Sequence, residues 1–108
     1  MEVDELQRRI LDFSNRWHQA RGYEPDELVN FAHLVEEVGE LATQYVNERA
    51  RPSNYDESEL EDAIADILLQ LVSLAARRNV NIERLLIRTM AAGDLRMGES
   101  SDTVQPSS

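Results

Sequence analysis

Three glutamates lie close together in HLVEEVGELA, residues 33–42. On a helix, Glu37 and Glu40 share one face because they are three positions apart, and Glu36 is rotated by about 100° from Glu37. Apolar neighbours such as Leu34 put these charges beside surface that a helix tends to bury. A solvated polar flank is the ordinary explanation for glutamates at this spacing, so the interpretation depends on what faces them.

A second group of polar residues crosses the apolar segment AIADILLQLVSLAA, residues 63–76. Its members Asp66, Gln70 and Ser73 are four and three positions apart, which aligns them in a narrow strip. The strip continues toward the amino end with Asp62 and Glu59. We expect this helix to be packed on most sides, with the strip facing a partner subunit or an interior cavity, because an unpaired carboxylate out of water is costly. A thin solvated strip is the alternative.

If the two acidic strips face each other, several carboxylates converge, and hard divalent cations favour such oxygen donors. Mg²⁺ is the predicted ion, with Mn²⁺ as a substitute. Because bound magnesium usually keeps waters that can meet phosphates, the pattern indicates nucleotide or diphosphate chemistry. A carboxylate that is not fully engaged with metal, here Glu36, would orient the attacking water or accept its proton.

The composition narrows the partners. The 108 residues include 21 acidic and 11 basic ones, a formal net charge of −10, which disfavours nucleic acids and anionic membranes. Every basic residue is arginine, so no lysine can form a Schiff base. There is no cysteine for a disulfide or a thiolate metal site. An apolar signal segment is missing, so we expect a cytoplasmic location.

Apolar residues at spacings of three and four predict an all-α fold, a four-helix up-and-down bundle. Leu85, Leu86 and Met90 are expected to face inward, and Trp17 continues the apolar stripe of the first helix. The helical domain is predicted at 1–97, and the polar residues 98–108 at a disordered tail. The predicted helices cover residues 4–20, 26–49, 56 or 58 to 78, and 82–92.

With these residues in view, VEEVGELA and the later ADILLQLVSLAARRNVNI resemble the MazG-like nucleoside triphosphate pyrophosphohydrolases. The resemblance covers roughly residues 3–97. That all-α superfamily also holds dimeric dUTPases and phosphoribosyl-ATP pyrophosphohydrolases. The resemblance implies the motif EExxE followed by ExxD, whose carboxylates hold magnesium in enzymes that release pyrophosphate and leave a nucleoside monophosphate.

The first half of that motif is matched by Glu36, Glu37 and Glu40. In the second half, the apolar run after the aspartate aligns Asp66 with the family aspartate, and the expected glutamate is Ala63. Asp62, four residues before Asp66, shares its face and is predicted to stand in. Taking Glu59 and Asp62 as the ExxD pair restores the letters but displaces the apolar run by four positions.

The resemblance also implies that a basic residue and an asparagine on the last helix meet the phosphates. Arg88 and Arg96 would serve, whereas Gly93 and Asp94 stand where the asparagine is expected. For Trp17, stacking on the base is the functional alternative to packing.

The leading hypothesis is a Mg²⁺-dependent nucleoside triphosphate pyrophosphohydrolase. Glu37, Glu40, Asp62 and Asp66 would hold the metal, and Glu36 would act on the water. A single chain of this size leaves the polar strip uncovered, so we expect a homodimer or a homotetramer with the site near the interface. The alternatives are an inactive nucleotide-binding or oligomerisation module, for which Ala63 is the main support, and an acidic helical adaptor without a ligand. The base preference does not follow from these residues.

Overall fold

A computed structural model describes residues 1–22, 24 and 26–104, with side chains described as far as residue 98. The described chain consists of four α-helices without a strand, which confirms the all-α prediction. A 3₁₀ turn at Pro52–Asn54 lies between the second and third helices. The helices are α1 (Val3–Ala20), α2 (Glu27–Ala50), α3 (Glu57–Arg77) and α4 (Ile82–Val104).

Short polar side chains fix where α2 and α3 begin. Asp26 accepts a hydrogen bond from the Val29 backbone N–H at 2.9 Å. Asp56 does the same for the Ser58 and Glu59 N–H groups, at 2.9 and 3.2 Å. Such capping satisfies backbone donors that the first helical turn leaves free, so both helices begin within one residue of the predicted starts.

The turn between α3 and α4 is tied back to α1. Gln7 donates from Nε2 to the Val80 carbonyl at 2.5 Å and accepts from the Ile82 N–H at 3.3 Å. Asn81 donates to Asp4 at 2.7 Å, and Asn79 adopts a left-handed φ of 57°. These contacts end α3 and set the direction in which α4 leaves the bundle.

The last helix is longer than predicted and packs lightly on the rest of the described chain. It continues past Ala92 to Val104, so it covers much of the segment predicted as a tail at 98–108. Residues 105–108 lie outside the described residues. The domain boundary after Met97 stays a prediction.

Helix α3 packs against both α2 and α1, yet the interior they enclose is polar. Among the described residues, Ala63 is the only buried hydrophobic one. The buried polar side chains come from all three helices, because each helix turns its polar stripe inward. They are Gln7, Ser14, His18, Asn30, Gln44, Asn47 and Ser73.

The apolar stripes face outward instead. Leu85, Leu86 and Met90 are exposed, so the prediction that they face inward is wrong for the single chain. Helix α3 is likewise not packed on most sides by its own chain. Its polar strip faces the interior, so apolar side chains on its other faces are exposed. Large apolar side chains on the other outer faces include Leu6, Phe13, Phe31, Val35, Val38, Ile64, Leu68 and Leu71.

Candidate functional site

The facing polar stripes of α2 and α3 form one continuous interior with two chemically different ends. At one end, Gln44 Nε2 donates to Glu59 Oε2 at 3.0 Å. At the other, Asn30 Nδ2 donates to Gln70 Oε1 at 2.7 Å. Because the helices run antiparallel, the glutamates of α2 lie opposite the aspartates of α3 between these bonds. The carboxylates Glu37, Glu40, Asp62 and Asp66 adjoin the Gln44–Glu59 bond, and we call this part of the interior the acidic end. We call Ser14, Asn30 and Gln70, around the other bond, the amide end.

Glu37 is the most perturbed carboxylate of the acidic end. Its pKa is raised from 4.5 to about 7, first by burial and then by the charges of Asp66 and Glu40. Its Oε2 is buried and has no hydrogen-bond partner among the described residues. The neighbouring carboxylates can supply a hydrogen only when one of the group is protonated. The acidic end therefore holds more negative charge than its own side chains can stabilise.

Asp66 lies at the centre of this charge. Burial raises its pKa, and the negative charges of Asp62 and Glu40 raise it further. Asp66 also lines a cavity of about 450 Å³ together with Glu40, Asp62 and Ala63. The small side chain of Ala63 leaves this space open, and Glu59 reaches the same cavity from one turn earlier on α3.

The side chains of the acidic end are chemically suited to a divalent cation, although they are not preorganised around a metal position. All its side chains offer the oxygen donors that magnesium selects. A cation placed there would neutralise the repulsion that raises the Glu37 and Asp66 pKa values. In the described chain, however, no three His, Asp or Glu side chains come close enough together to hold an ion. Binding would require the carboxylates to change rotamer.

A larger cavity of about 570 Å³ leads from the acidic end to the amide end and opens beside α1. Glu36, Glu37 and Asp66 line its acidic side, so Asp66 belongs to both cavities. At the other side the Arg21 guanidinium stacks over the face of the Trp17 ring, 3.9 Å from the ring centre, and this stacked pair forms a flat wall of the cavity. The volume is within the range of small-ligand sites.

The amide end rests on a buried hydrogen-bond network. Arg77 donates from Nε to Asn30 Oδ1 and from Nη2 to Asn15 Oδ1, the second at 2.6 Å. Asn30 is fully buried and donates in turn to Gln70 and, at 3.2 Å, to Ser14 Oγ. The network therefore links all three packed helices around one asparagine.

Two histidines occupy the middle of the interior. His18 is fully buried, and its ring meets that of His33 edge-on, with 5.7 Å between ring centroids. Burial lowers the His18 pKa, and the charges of His33 and Arg77 lower it further. His33 also lines the larger cavity, between the acidic end and the amide end along α2. His18 is therefore a packed residue of the interior, while His33 also faces the larger cavity.

The predicted functional residues separate into two groups. Arg88 and Arg96 are exposed on α4, and neither is among the described residues that line the two cavities. Their contact with phosphates stays a prediction. The others line one cavity or both, namely Trp17, Glu36, Glu37, Glu40, Asp62 and Asp66.

Sequence reasoning missed the network of Arg77, Asn30 and Ser14, and the Gln44 contact. A signal was present in α2, where polar residues recur at spacings of three and four over its whole length. They pass through the same face as Glu37 and Glu40, and that face proves to be the interior. The full series is Asn30, His33, Glu37, Glu40, Gln44 and Asn47.

Comparison with known proteins gives a family match. The model of the MazG nucleotide pyrophosphohydrolase domain matches residues 26–91, a span that includes both acidic strips and the whole of α2 and α3. Searches of curated proteins and of solved structures found no significant match. None of the helices in the described part of the chain combines the length and the apolar character that a membrane span requires.

Proposed function

Because the chain belongs to the MazG nucleotide pyrophosphohydrolase family, we propose that it hydrolyses nucleoside triphosphates to a nucleoside monophosphate and pyrophosphate in a magnesium-dependent reaction. The observation that carries this proposal is the acidic end, where Asp66 belongs to two cavities and Glu37 has a pKa of about 7. Clustered carboxylates that are half-buried at Glu37 and Asp66, beside a ligand-sized cavity, are typical of a functional site.

Glu37, Glu40, Asp62 and Asp66 would hold the magnesium. Bound magnesium neutralises phosphate charge and lowers the pKa of coordinated water. Glu36, on the wall of the larger cavity, orients the attacking water and takes its proton. The water oxygen bonds to the α-phosphorus, and the bond from that phosphorus to the oxygen bridging the β-phosphate breaks. Pyrophosphate leaves with the electron pair of that bond.

Self-association is part of this proposal. The chain places large apolar side chains on its outer faces, including Phe31 and Leu68, which are 53% and 54% exposed. Removing such surface from water stabilises an assembly by about 25 cal/mol per Å². We therefore propose a homodimer or a homotetramer. Arg88 and Arg96 would meet the phosphates of a neighbouring subunit, since both lie outside the cavities in the single chain.

The test is incubation with Mg²⁺ and a panel of nucleoside triphosphates, with products identified by ³¹P NMR. We expect pyrophosphate and monophosphate from at least one nucleotide, and loss of both products in Glu40→Gln. Glu48→Gln is the matched control, because Glu48 is exposed on the same helix and lines neither cavity. If the products are orthophosphate and a nucleoside diphosphate, cleavage at the α-phosphorus is contradicted.

A catalytically inactive nucleotide-binding module is the second candidate. Two observations favour it: Ala63 stands where the family motif has a glutamate, and the described carboxylates are not gathered as a metal site. The two functions differ in one measurement. A module binds a nonhydrolysable triphosphate but releases no pyrophosphate from any nucleotide, even with Mn²⁺ in place of Mg²⁺.

A further inference from the structure

The amide end has a fixed hydrogen-bond polarity, and the reason is chemical. An arginine side chain has only donors, so the Asn30 atom that faces Arg77 must be the oxygen. The nitrogen of Asn30 then points the other way, and both of its hydrogens are used, by Gln70 Oε1 and Ser14 Oγ. One half-buried guanidinium thus determines the orientation of two successive side-chain amides.

This polarity leaves donors free on the cavity side. Gln70 uses its oxygen to accept from Asn30, so its Nε2 keeps its hydrogens. Ser14 accepts from Asn30, so its hydroxyl hydrogen is also available. Neither group donates to another residue in the described part of the chain, and both residues line the larger cavity. The floor of the cavity therefore offers the Gln70 amide hydrogens and the Ser14 hydroxyl hydrogen as donors.

The other parts of the cavity could accommodate the phosphates and the base of a nucleotide in the sequence in which a nucleotide carries them. Gln70 follows Asp66 by one helical turn, which is about 6 Å along the axis. The acidic end would take the metal and phosphates, and the flat wall of Trp17 and Arg21 would take a planar ring. A base stacked on that wall extends its edge toward Gln70 and Ser14.

We propose that this donor floor selects nucleotides whose base carries an oxo group at that edge, as in uracil, thymine, hypoxanthine and guanine. Bases with an amino group there, cytosine and adenine, would set their amino hydrogens against the N–H groups of Gln70. The inference rests on the proposed function, since it assigns the substrate class of the same site. Gln70 and Ser14 are the residues that determine specificity, and Asn30 and Arg77 are positioning residues.

The test compares bases that differ at one edge. Binding of α,β-imido UTP and α,β-imido CTP is measured by calorimetry with Mg²⁺, and the hypoxanthine and adenine analogues form a second pair. We expect the oxo member of each pair to bind at least about tenfold more tightly, because leaving a partly buried donor without an acceptor lowers the affinity. Gln70→Glu replaces the free donor by an acceptor and should reverse or abolish that ratio. Gln19→Glu, the same change at an exposed position, should leave it unaltered.

The outcomes separate the two proposals. Equal binding within both pairs, or preference for the amino members, overturns the base selection even if pyrophosphate is released. A wild-type preference that persists unchanged in Gln70→Glu also overturns it, provided that the variant shows a cooperative melting transition. If Gln70→Glu does not fold, the wild-type ratio in the two pairs decides. Absence of both binding and pyrophosphate release with every nucleotide refutes the proposed function itself.

Discussion

In this bundle the buried side chains are mostly polar and the large apolar side chains are mostly exposed, the reverse of the usual arrangement in a small domain. Asn30 is fully buried, whereas the next residue, Phe31, is 53% exposed. The interior holds carboxylates, amides and a guanidinium, which are costly to remove from water and repay that cost only when paired or bound to a ligand. The outer faces carry the apolar side chains that usually stabilise a core. This distribution is what the proposed site in the interior and the proposed self-association through the outer faces would produce.

The substitution with the largest effect should be one that removes a charge from the acidic end. Asp66→Asn removes a charge from the one carboxylate shared by both cavities. We expect pyrophosphate release to fall by at least about 100-fold, because charge stabilisation in such sites is worth that much. Asp12→Asn is the control, since Asp12 lies in an exposed ion pair with Arg16 at 2.9 Å. If pyrophosphate release falls equally in both variants, the loss is not specific to the acidic end and the prediction is wrong.

A second substitution should weaken association through the apolar outer surface. Leu71→Glu places a charge on an exposed apolar face of α3. If that face is buried between subunits, the dissociation constant of the assembly rises by about 100-fold, because an unpaired buried charge costs about 3 kcal/mol or more. Sedimentation velocity over a concentration series measures this. Gln19→Glu adds the same charge at an exposed polar position and should leave the assembly intact. A wild-type chain that stays monomeric throughout would contradict the association.

The neighbouring residues 30 and 31 allow a direct contrast. Asn30→Ala leaves Arg77 without one of its two acceptors, so we expect the free energy of unfolding to fall by about 2–4 kcal/mol at every protein concentration. Phe31→Ala should act through association, so its effect should change with concentration. Urea unfolding at two concentrations distinguishes them. If Phe31→Ala destabilises by the same amount at both while Asn30→Ala does nothing, the interior is not the stabilising region.

The smallest effect concerns pH. Without metal, the folded chain binds a proton at Glu37 more tightly than the unfolded chain does, since the pKa is about 7 rather than 4.5. This contribution to stability is complete below pH 4.5 and is lost as pH rises through about 7. The elevated pKa of Asp66 acts in the same direction. Melting temperatures of metal-free protein should fall over this range, and Glu37→Gln should flatten the curve. A melting temperature that rises instead would contradict the buried acidic cluster.

Local chemistry made much of the fold predictable. Asp26 and Asp56 cap helices through hydrogen bonds to residues two or three positions away, so the sequence specified both starts. The glutamate spacing placed Glu37 and Glu40 on one face, and that face does line the cavities. These inferences needed only contacts within one helix.

The polarity of the two faces was not predictable in the same way. The assumption that apolar stripes face inward failed for α4, where Leu85, Leu86 and Met90 are exposed in the single chain. The contact of Arg77 with Asn30 joins residues 47 positions apart, and no local spacing specifies such a pairing. Whether a face becomes interior depends on which helix it meets, and for a chain that associates it depends on the partner as well.

If carboxylates from α2 and α3 act together on one divalent cation, the chain should bind Mn²⁺ without nucleotide, which electron paramagnetic resonance measures. We expect binding by the wild-type chain, weakened by at least about tenfold in both Glu37→Gln and Asp66→Asn. Glu48→Gln should bind like the wild type. Equal Mn²⁺ affinity in all four proteins, or binding by none, would contradict this joint action.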